Sequence, residues 1–374
     1  MLAKLPGMLW PVYESDGAGG PTLQVRDGGG LALLRDEWSA LAEAGGNLFG
    51  TWEWADCWWR HYGAERHAMP LSCFDGDGRL AAILPLCIDR RRPLRLARFI
   101  GHGAADELGP ICAPADRVAA LDALAGARSA VPESWSLLLA DRLVADHGWK
   151  LPSGARTLRH ESSPVVSIAG LDWDSYLATR SSNFRSQVRR KERKLQREHG
   201  LSYRLCDDPG RLDADMASLF LLHDERWGEK GSGAFNSVRQ AFHLDFARIA
   251  LERGWLRLWI AEVDGEAVAA WHGFRFGGSE WYYQSGRDPE WERSSIGLVL
   301  MAHTLRSAIE DGMDTYRLLR GGETYKERFA TGDVGVASVA VPANAVGHAA
   351  ILAARAAIDL PGPQRRLARR LAAN

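Results

Sequence analysis

The alternation of apolar and polar residues in the first half of the chain predicts helices followed by a β-hairpin. Apolar residues recur at helical spacing over 31–44 and 52–62. The next apolar runs, 71–74 and 79–88, flank the turn sequence Asp-Gly-Asp-Gly at 75–78, which is typical of a tight hairpin connection. We therefore expect two amphipathic helices and then two antiparallel strands.

The second half repeats this plan. A helical pattern over 242–254 precedes apolar runs at 256–263 and 266–276, which an Asp-Gly pair joins. The glycine of that pair, Gly265, follows Gly78 by half of the 374-residue chain. A helix and a hairpin that recur at this separation indicate an internal duplication.

Both halves continue in the same way. Strand, loop, helix and strand patterns follow at 279–286, 287–297, 298–312 and 315–321, with counterparts at 95–103, 116–128 and 134–140. The order predicts an α/β (α+β) fold of two tandem domains, each a mixed, mainly antiparallel sheet flanked by helices. We expect domain boundaries of 1–165 and 166–341, followed by a C-terminal helix and tail at 342–374.

The composition excludes several classes of protein. Hydrophobic residues are 46% and charged residues 25%, the balance of a globular protein and not of a disordered one. Lys and Arg number 46 and Asp and Glu 47, so the net charge of -1 excludes a globally basic nucleic-acid-binding protein. The five cysteines form no Cys-x-x-Cys pair, which predicts a reducing compartment and no metal site. No apolar run approaches the ~20 residues of a membrane span and no secretory signal is visible, so we expect a cytoplasmic protein.

Two local segments are strongly basic. The segment 181–199 opens with Ser and Asn, lacks Gly and Pro, and predicts a long basic helix on which Arg185 and Arg189 share one side. Those two residues are candidates for contact with a phosphorylated acceptor, a lipid diphosphate or tRNA, and the alternative is a solvated helix face. In the C-terminal tail, Arg366 and Arg370 are candidates for a peripheral membrane contact or for binding an anionic nucleotide regulator, against the alternative of a frayed tail.

A candidate anion site lies where a predicted strand leads into a predicted helix. The connecting residues are Arg293, Ser294, Ser295, Ile296 and Gly297. Successive backbone N–H groups at the start of a helix, together with the positive end of its dipole, suit a pyrophosphate. We therefore expect this loop to hold a coenzyme.

Several segments resemble a known family: WIAEVDGEAVAAWHGFRF, WYYQSGRDPEWERSSIGLVLMAHTLRSAIEDG, YRLLRGGETYKERFA, SSNFRSQVRRKERKL, LLHDERWGEKG and TWEWADCWWRHYG. They are similar to the GNAT-like acyltransferases of the CelD/BcsL (BioF2-like) branch, which is related to the FemAB peptidoglycan aminoacyltransferases. The resemblance covers about residues 35–335. It implies two tandem GNAT-like domains, acetyl-CoA or another acyl-CoA as co-substrate, and no metal. We expect one competent site, in the second half, because the first half lacks a comparable loop.

The resemblance implies that an amine attacks the acyl thioester directly, with no covalent enzyme intermediate. Backbone N–H groups around Tyr283, Gln284 and Ser285 are then expected to polarise the acyl carbonyl. Tyr282 or Tyr283 is the candidate acid for the leaving thiolate, since a phenol has a pKa of about 10.

Two positions are candidates for the base. His272 lies on a predicted strand, and an unperturbed imidazole pKa of about 6.5 suits proton transfer at neutral pH. Glu323 and Lys326 follow the last strand in a Gly-rich loop, with Glu323 as base and Lys326 as binder of a carboxylate or phosphate. For each of these side chains, ordinary packing is the alternative. Residues expected to line the acceptor cleft are His223, Arg226, Trp227 and Tyr325.

These expectations combine into one leading function and two alternatives. The leading hypothesis is an N-acyltransferase that acts on an amino-sugar or polysaccharide precursor, free or lipid-linked, in exopolysaccharide or surface-adhesin biosynthesis, at the inner face of the membrane or in the cytoplasm. The first alternative is a FemAB-type transferase that uses aminoacyl-tRNA. The second is a non-catalytic, regulated binding module. It is favoured by the loop at 293–297, which departs from the pattern Q/R-x-x-G-x-G/A of the similar GNAT enzymes, and by Arg317, where members of the similar family usually have an acidic residue.

Overall fold

The computed structural model describes residues 23–27, 31–89, 94–120, 123, 135–147, 149, 154–227 and 237–358. Its helices are α1 (Arg35–Gly45), α2 (Trp52–Tyr62), α3 (Trp173–Ala178), α4 (Ser182–His199), α5 (Pro209–Trp227), α6 (Ser237–Glu252), α7 (Ile296–Glu310), α8 (Thr324–Phe329) and α9 (Ala345–Ile358). Its strands are β1 (Gln24–Asp27), β2 (Arg66–Phe74), β3 (Leu80–Asp89), β4 (Leu96–Phe99), β5 (Ile111–Cys112), β6 (Leu137–Val144), β7 (Arg156–Glu161), β8 (Pro164–Ser167), β9 (Ser202–Leu205), β10 (Leu256–Val263), β11 (Glu266–Phe276), β12 (Ser279–Arg287), β13 (Thr315–Arg317), β14 (Gly332–Asp333) and β15 (Val336–Pro342).

The chain divides into two compact units. The first takes its described residues from 1–45, 62–160 and 337–374, and the second from 46–61 and 161–336. The units differ from the expected boundaries in that α2 lies in the second unit, while α9 lies in the first. The reason for the position of α2 is its aromatic face, because Trp54 packs edge-on against Phe242 and Phe246 of α6 at ring distances of 5.1 and 4.6 Å.

The sheet of the first unit has the order β1-β2-β3-β4-β6-β15-β7, with β5 paired to β3. The pairs β1–β2, β2–β3 and β3–β4 are antiparallel, whereas β4 and β6 are parallel. This is a mixed sheet with one crossover between parallel strands.

The sheet of the second unit repeats this plan in the order β9-β10-β11-β12-β13-β8-β14. The pairs β9–β10, β10–β11 and β11–β12 are antiparallel, and β12 and β13 are parallel. In both units, the strand beyond the crossover comes from a distant part of the chain: β15 in the first and β8 in the second. Two mixed, mainly antiparallel sheets flanked by helices are therefore present, as the sequence pattern predicts.

The two faces of the second sheet carry different layers. Trp271 and Tyr282 belong to a buried cluster with apolar residues of α3, α4 and α7. The next residue on β11, His272, points to the opposite face, where its ring lies 6.3 Å from that of His243 on α6. Both layers contribute to the site described below.

The structure also shortens one predicted strand. The strand predicted at 315–321 forms only over Thr315–Arg317. Leu319 then adopts the left-handed region with φ 56°, and Gly321 has φ 123°, so the chain turns away from the sheet. Among the described residues, no helix is both long enough and apolar enough to cross a bilayer.

Candidate active site

The site begins where two parallel strands of the second unit separate. β13 pairs with β12 only along Ser279–Trp281, yet β12 continues to Arg287. Across the other edge, His272 pairs with Gln284 and Gly273 with Tyr282, so Tyr283 is an extra, bulged residue. The outer part of β12 thus presents one edge that β13 does not cover.

A cavity of about 330 Å³ occupies this gap. Its lining comes from α5, β11, β12, α7 and α8: Arg226, Trp271, Tyr282, Ser285, Gly286, Arg287, Glu292, Ser295, Gly297, Leu298, Leu300, Met301, Tyr325, Arg328 and Phe329. This volume lies at the lower end of the range for small-molecule sites, about 300–1,000 Å³.

One end of the cavity lies against the start of α7. Ser295 caps this helix in the left-handed conformation, with φ 61° and ψ 40°. The N–H groups of Ser294 and Ser295 are used within the preceding turn, where they donate to the carbonyls of Trp291 and Glu292. The next amides, those of Ile296 and Gly297, belong to the first helical turn, whose N–H groups have no intrahelical acceptor. They are the donors that an anion would meet here.

Three guanidinium groups surround the same space. Arg287 pairs with Glu292 at 2.8 Å, and Arg328 donates to the side-chain oxygen of Gln187 at 2.7 Å. Arg226 donates to the hydroxyl of Ser285, also at 2.7 Å. Three cations against one carboxylate favour an anionic ligand.

A chain of hydroxyl groups runs along the cavity wall from this last contact. The phenol of Tyr282 lies 2.6 Å from the Ser285 hydroxyl and 3.2 Å from the phenol of Tyr325. The guanidinium of Arg226 lies 5.9 Å from the centre of the Tyr325 ring. Burial, and then the neighbouring Tyr282, raise the pKa of Tyr325, so its phenol stays protonated at neutral pH. Tyr325 is thus a neutral phenol that can donate a hydrogen bond.

Comparison with known proteins agrees with this geometry. Residues 182–327 match the family described as an acetyltransferase (GNAT) domain. This segment is a GNAT acyltransferase domain. It contains every residue of the cavity lining except Arg328 and Phe329, which follow it directly.

Solved structures show where the fold recurs. FemX is similar at 12% identity and a TM-score of 0.60, over 82% of this chain and 96% of that one. The C-terminal domain of a putative lysylphosphatidylglycerol synthetase from Agrobacterium fabrum is similar at 14% identity and a TM-score of 0.55, over 87% and 97%. L-PGS from Bacillus licheniformis follows at 15% and 0.52, over 83% and 92%. At these identities the likeness establishes the fold alone, a tandem GNAT-like arrangement. Among curated proteins, no sequence matches.

The GNAT domain brings some of the predicted residues into one place. Ser285, Ser295, Gly297, Arg226 and Tyr325 all line the cavity. The lining found among the described residues does not include the side chains of five others expected at the donor site: Tyr283, Gln284, Arg293, Ser294 and Ile296. The bulge explains the choice between the tyrosines, because the extra residue turns Tyr283 to the α6 face and leaves Tyr282 in the cavity.

His272 does not have the surroundings of a base. Its ring is fully buried, and both ring nitrogens lack a hydrogen-bond partner within the described part of the chain. Burial lowers the pKa of His272 to about 3. The predicted role is therefore contradicted, because Trp271 and not His272 faces the cavity and the imidazole is both inaccessible and weakly basic.

The loop after β13 uses its charged residues differently from the prediction. The side chain of Lys326 is buried, and its Nζ donates to the carbonyls of Arg320 at 2.8 Å and Leu319 at 3.4 Å. Its acidic partner is Glu323 at 3.0 Å, which is 44% exposed. Lys326 thus holds the turn that places Tyr325, instead of offering a free cation to a ligand, whereas Glu323 stays accessible.

The remaining predicted residues lie elsewhere. His223 is buried on α5, where the close approach of this helix to β12 brings its backbone nitrogen within 2.3 Å of the position that a Cβ on Gly286 would take. Trp227 ends α5, and its side chain lies outside the described residues. Arg366 and Arg370 also lie outside them.

The predicted anion-binding pair on α4 is engaged within the protein. Arg185 donates to the carbonyls of Arg180 at 2.5 Å and of Ala178, the last residue of α3, at 3.4 Å, and Arg189 pairs with Asp174 at 2.7 Å. These contacts fasten α4 to α3, so this pair is not the cationic surface that the spacing suggested.

Sequence reasoning missed several residues of the lining. The loop predicted at 287–297 begins one residue too early, because β12 extends to Arg287. Arg328 follows Tyr325 by three residues and so shares one side of α8, a helix too short to show a periodic pattern. The apolar side chains of Trp271 and Met301 indicate core positions. Both residues do belong to the buried core, and they also border the cavity.

Proposed function

We propose that the protein is an N-acyltransferase whose donor is acetyl-CoA or another acyl-CoA. The observation that carries this proposal is the cavity between the separated ends of β12 and β13, bordered by the start of α7 and by three arginines. Such a cavity offers a long, narrow thioester both an anion-binding end and an apolar wall.

The residues present fit each part of that donor. The N–H groups of Ile296 and Gly297, together with Arg287 and Arg328, would hold its phosphates. Apolar side chains of α7, including Met301, would contact the pantetheine arm. The thioester would then lie near the hydroxyl chain described above.

The reaction needs positioning and proton transfer. The amine nitrogen of the acceptor attacks the carbonyl carbon; a C–N bond forms, the C–S bond breaks, the amine loses a proton and the thiolate gains one. Tyr282 and Tyr325 are the candidates for supplying the proton to the thiolate, because both residues line the cavity. Glu323, an accessible carboxylate two residues before Tyr325, is the remaining candidate for accepting the proton of the amine.

The acceptor we propose is an amino sugar of an exopolysaccharide or surface-adhesin precursor. Its support is the resemblance of the sequence to the CelD/BcsL branch. We place the reaction in the cytoplasm, where acyl-CoA is made, and the five buried, free cysteines are consistent with a reducing compartment.

Aminoacyl-tRNA is a second candidate donor. It is favoured by the resemblance of the sequence to the FemAB peptidoglycan aminoacyltransferases and by the likeness in fold to FemX. The net charge of -1 weighs against it, because tRNA binding normally uses a broad basic surface.

Thermal unfolding with added ligand separates these donors. Acetyl-CoA, longer acyl-CoAs and tRNA are compared, and a ligand at about 100 times its Kd should stabilise the protein by about 2.7 kcal/mol. Gly297→Arg should abolish stabilisation by acyl-CoA, because it places a long side chain in the cavity. The matched control is Gly76→Arg, in an exposed turn where an added Cβ meets nothing within 4 Å. Stabilisation by tRNA alone would favour the second donor, and stabilisation by neither would refute both.

A further inference from the structure

The basic helix α4 has two cationic edges with different surroundings. Its buried side, which includes Phe184 and Val188, packs into the core of the second unit. One edge carries Arg185 and Arg189, which are bound to α3 as described. The other edge begins at Gln187 and faces the donor cavity.

Direct contacts place this second edge at the rim of the cavity. The Nζ of Lys191 donates to the backbone carbonyl of Arg293, in the loop that leads into α7, at 3.0 Å. Gln187 accepts from Arg328, a residue of the cavity lining, at 2.7 Å. The ring of Phe184 packs edge-on against that of Phe329, another lining residue, at 4.9 Å.

Four exposed cations lie on this edge of α4 or on the residues it contacts, and we name Arg190, Lys194, Arg293 and Arg328 the rim cluster. Arg328 lines the cavity, and the carbonyl of Arg293 accepts from Lys191. Arg190 follows Gln187 by three residues and Lys194 follows Lys191 by three, so both project from the same edge of α4. Lys194 is 61% exposed and shares Glu198 with Arg197, at distances of 3.5 and 2.6 Å. The cluster is therefore a cationic surface beside the cavity entrance.

We propose that the rim cluster docks an acidic carrier protein, which delivers the acyl group on a phosphopantetheine arm. This inference rests on the proposed function, since the arm would enter the same cavity as acyl-CoA. The cavity of about 330 Å³ suits the narrow phosphopantetheine arm. The N–H groups at the start of α7 would contact the phosphodiester of this arm. Cations four residues apart on a helix, such as Arg190 and Lys194, complement acidic residues of the same spacing on a partner helix.

The same observations favour a protein over an RNA as the docked partner. The rim cluster is local, and the whole chain has a net charge of -1, whereas RNA-binding surfaces extend over many phosphates. The cavity wall includes apolar residues, with Leu298 and Phe329 among them, and suits an alkyl amide arm. The chemical step is unchanged: the acyl C–S bond breaks, the acceptor C–N bond forms, and the arm leaves as a free thiol.

The test compares charge reversals on the two sides of α4. Arg190→Glu and the double variant Arg190→Glu/Lys194→Glu change the rim cluster. Arg189→Glu is the matched control, because it makes the same charge change at an exposed position on the opposite edge of α4, and the ion pair with Asp174 that it breaks is exposed to solvent. The probes are acetyl-CoA, an acidic acyl carrier protein in its acetylated and arm-free forms, and tRNA, with binding followed by fluorescence anisotropy at low salt.

We expect the unmodified enzyme to bind both forms of the carrier, the acetylated form more tightly. The double variant should lose about tenfold in affinity for either form and keep its affinity for acetyl-CoA, while the control matches the parent. Binding of acetyl-CoA without binding of either carrier form overturns this inference and leaves the proposed function standing. Binding of tRNA through the rim cluster overturns it in favour of an RNA partner. If the parent enzyme does not bind acetyl-CoA, the proposed function itself is refuted.

Discussion

A buried ionic cluster beneath α7 predicts a specific pH dependence of stability. Glu280 on β12 is fully buried, and its Oε1 accepts from Nε of Arg257 at 3.2 Å. Arg257 also donates to the hydroxyl of Ser307 and to Asp311. The second oxygen of Glu280, Oε2, has no hydrogen-bond partner among the described residues. This carboxylate is thus removed from water and only half satisfied.

Burial is the largest effect on this group. It raises the pKa of Glu280 to about 7 from an ordinary value of 4.5, against the opposing effect of Arg257, while Asp311 raises the pKa further and Arg275 lowers it. Tyr316 is the other titratable group facing it, and its own pKa is raised mainly by burial. The folded protein therefore binds a proton here over a pH range in which the unfolded chain has lost it.

The sign and size of the effect follow from linkage. Because the pKa is raised on folding, the contribution of Glu280 to stability is fully present below pH 4.5, declines as the pH rises to about 7, and is then constant. The gap between the two pKa values corresponds to about 3 kcal/mol. Glu280→Gln, which mimics the protonated acid, should therefore gain about 3 kcal/mol relative to the parent between pH 4.5 and 8.

Urea unfolding at several pH values measures this difference directly. The matched control is Glu310→Gln, at an exposed position near the end of α7, and its stability should parallel that of the parent at every pH. Parallel curves for Glu280→Gln and the parent would refute the reasoning, since they would mean that Glu280 has the same proton affinity in both states.

Three further predictions follow from the site. Gly286→Ala should cost at least 1–3 kcal/mol by urea unfolding, roughly the cost of overpacking, because its Cβ would lie 2.3 Å from backbone, whereas Gly322→Ala should cost less. Lys326→Met should destabilise by about 1–3 kcal/mol, because it leaves two backbone carbonyls without their donor; an unchanged midpoint would contradict this. Tyr325→Phe should lower kcat by about 100-fold with little change in donor-induced thermal stabilisation; a change confined to KM would assign the phenol to binding alone.

Local sequence signals predicted the elements with short-range causes. The hairpin β10–β11 forms as expected, at 256–263 and 266–276, since alternating apolar residues flank an Asp-Gly turn with Asp264 at φ 52°. α4 also begins and ends where its signals lie, with Ser181 as N-cap and Gly200 in the left-handed conformation. These features depend on neighbours in sequence, which a single chain displays.

Long-range pairing and side-chain direction were harder to predict. The exchange of β8 and β15 between the ends of the sheets depends on contacts across most of the chain. Within the site, one bulged residue determines which tyrosine lines the cavity. Because side chains alternate between the two faces of a strand, Trp271 faces the cavity and His272 faces the opposite side. Lys326 shows the same limit, because its motif marks a functional loop but does not reveal that its amine is occupied by backbone carbonyls.

The length of one strand accounts for the difference between the duplicated sheets. In the second unit, β12 continues beyond its pairing with β13, from Tyr282 to Arg287, and this free edge borders the cavity. In the first unit the corresponding strand, β4, pairs with β6 along Leu96–Arg98 and ends one residue later, at Phe99. It is β6 that continues, to Val144, so β4 has no unpaired stretch like Tyr282–Arg287 of β12. The first sheet can therefore share the topology of the second without the strand extension that borders the donor site. The strand extension and its bulge, more than the order of the strands, therefore distinguish the unit in which we place acyl transfer.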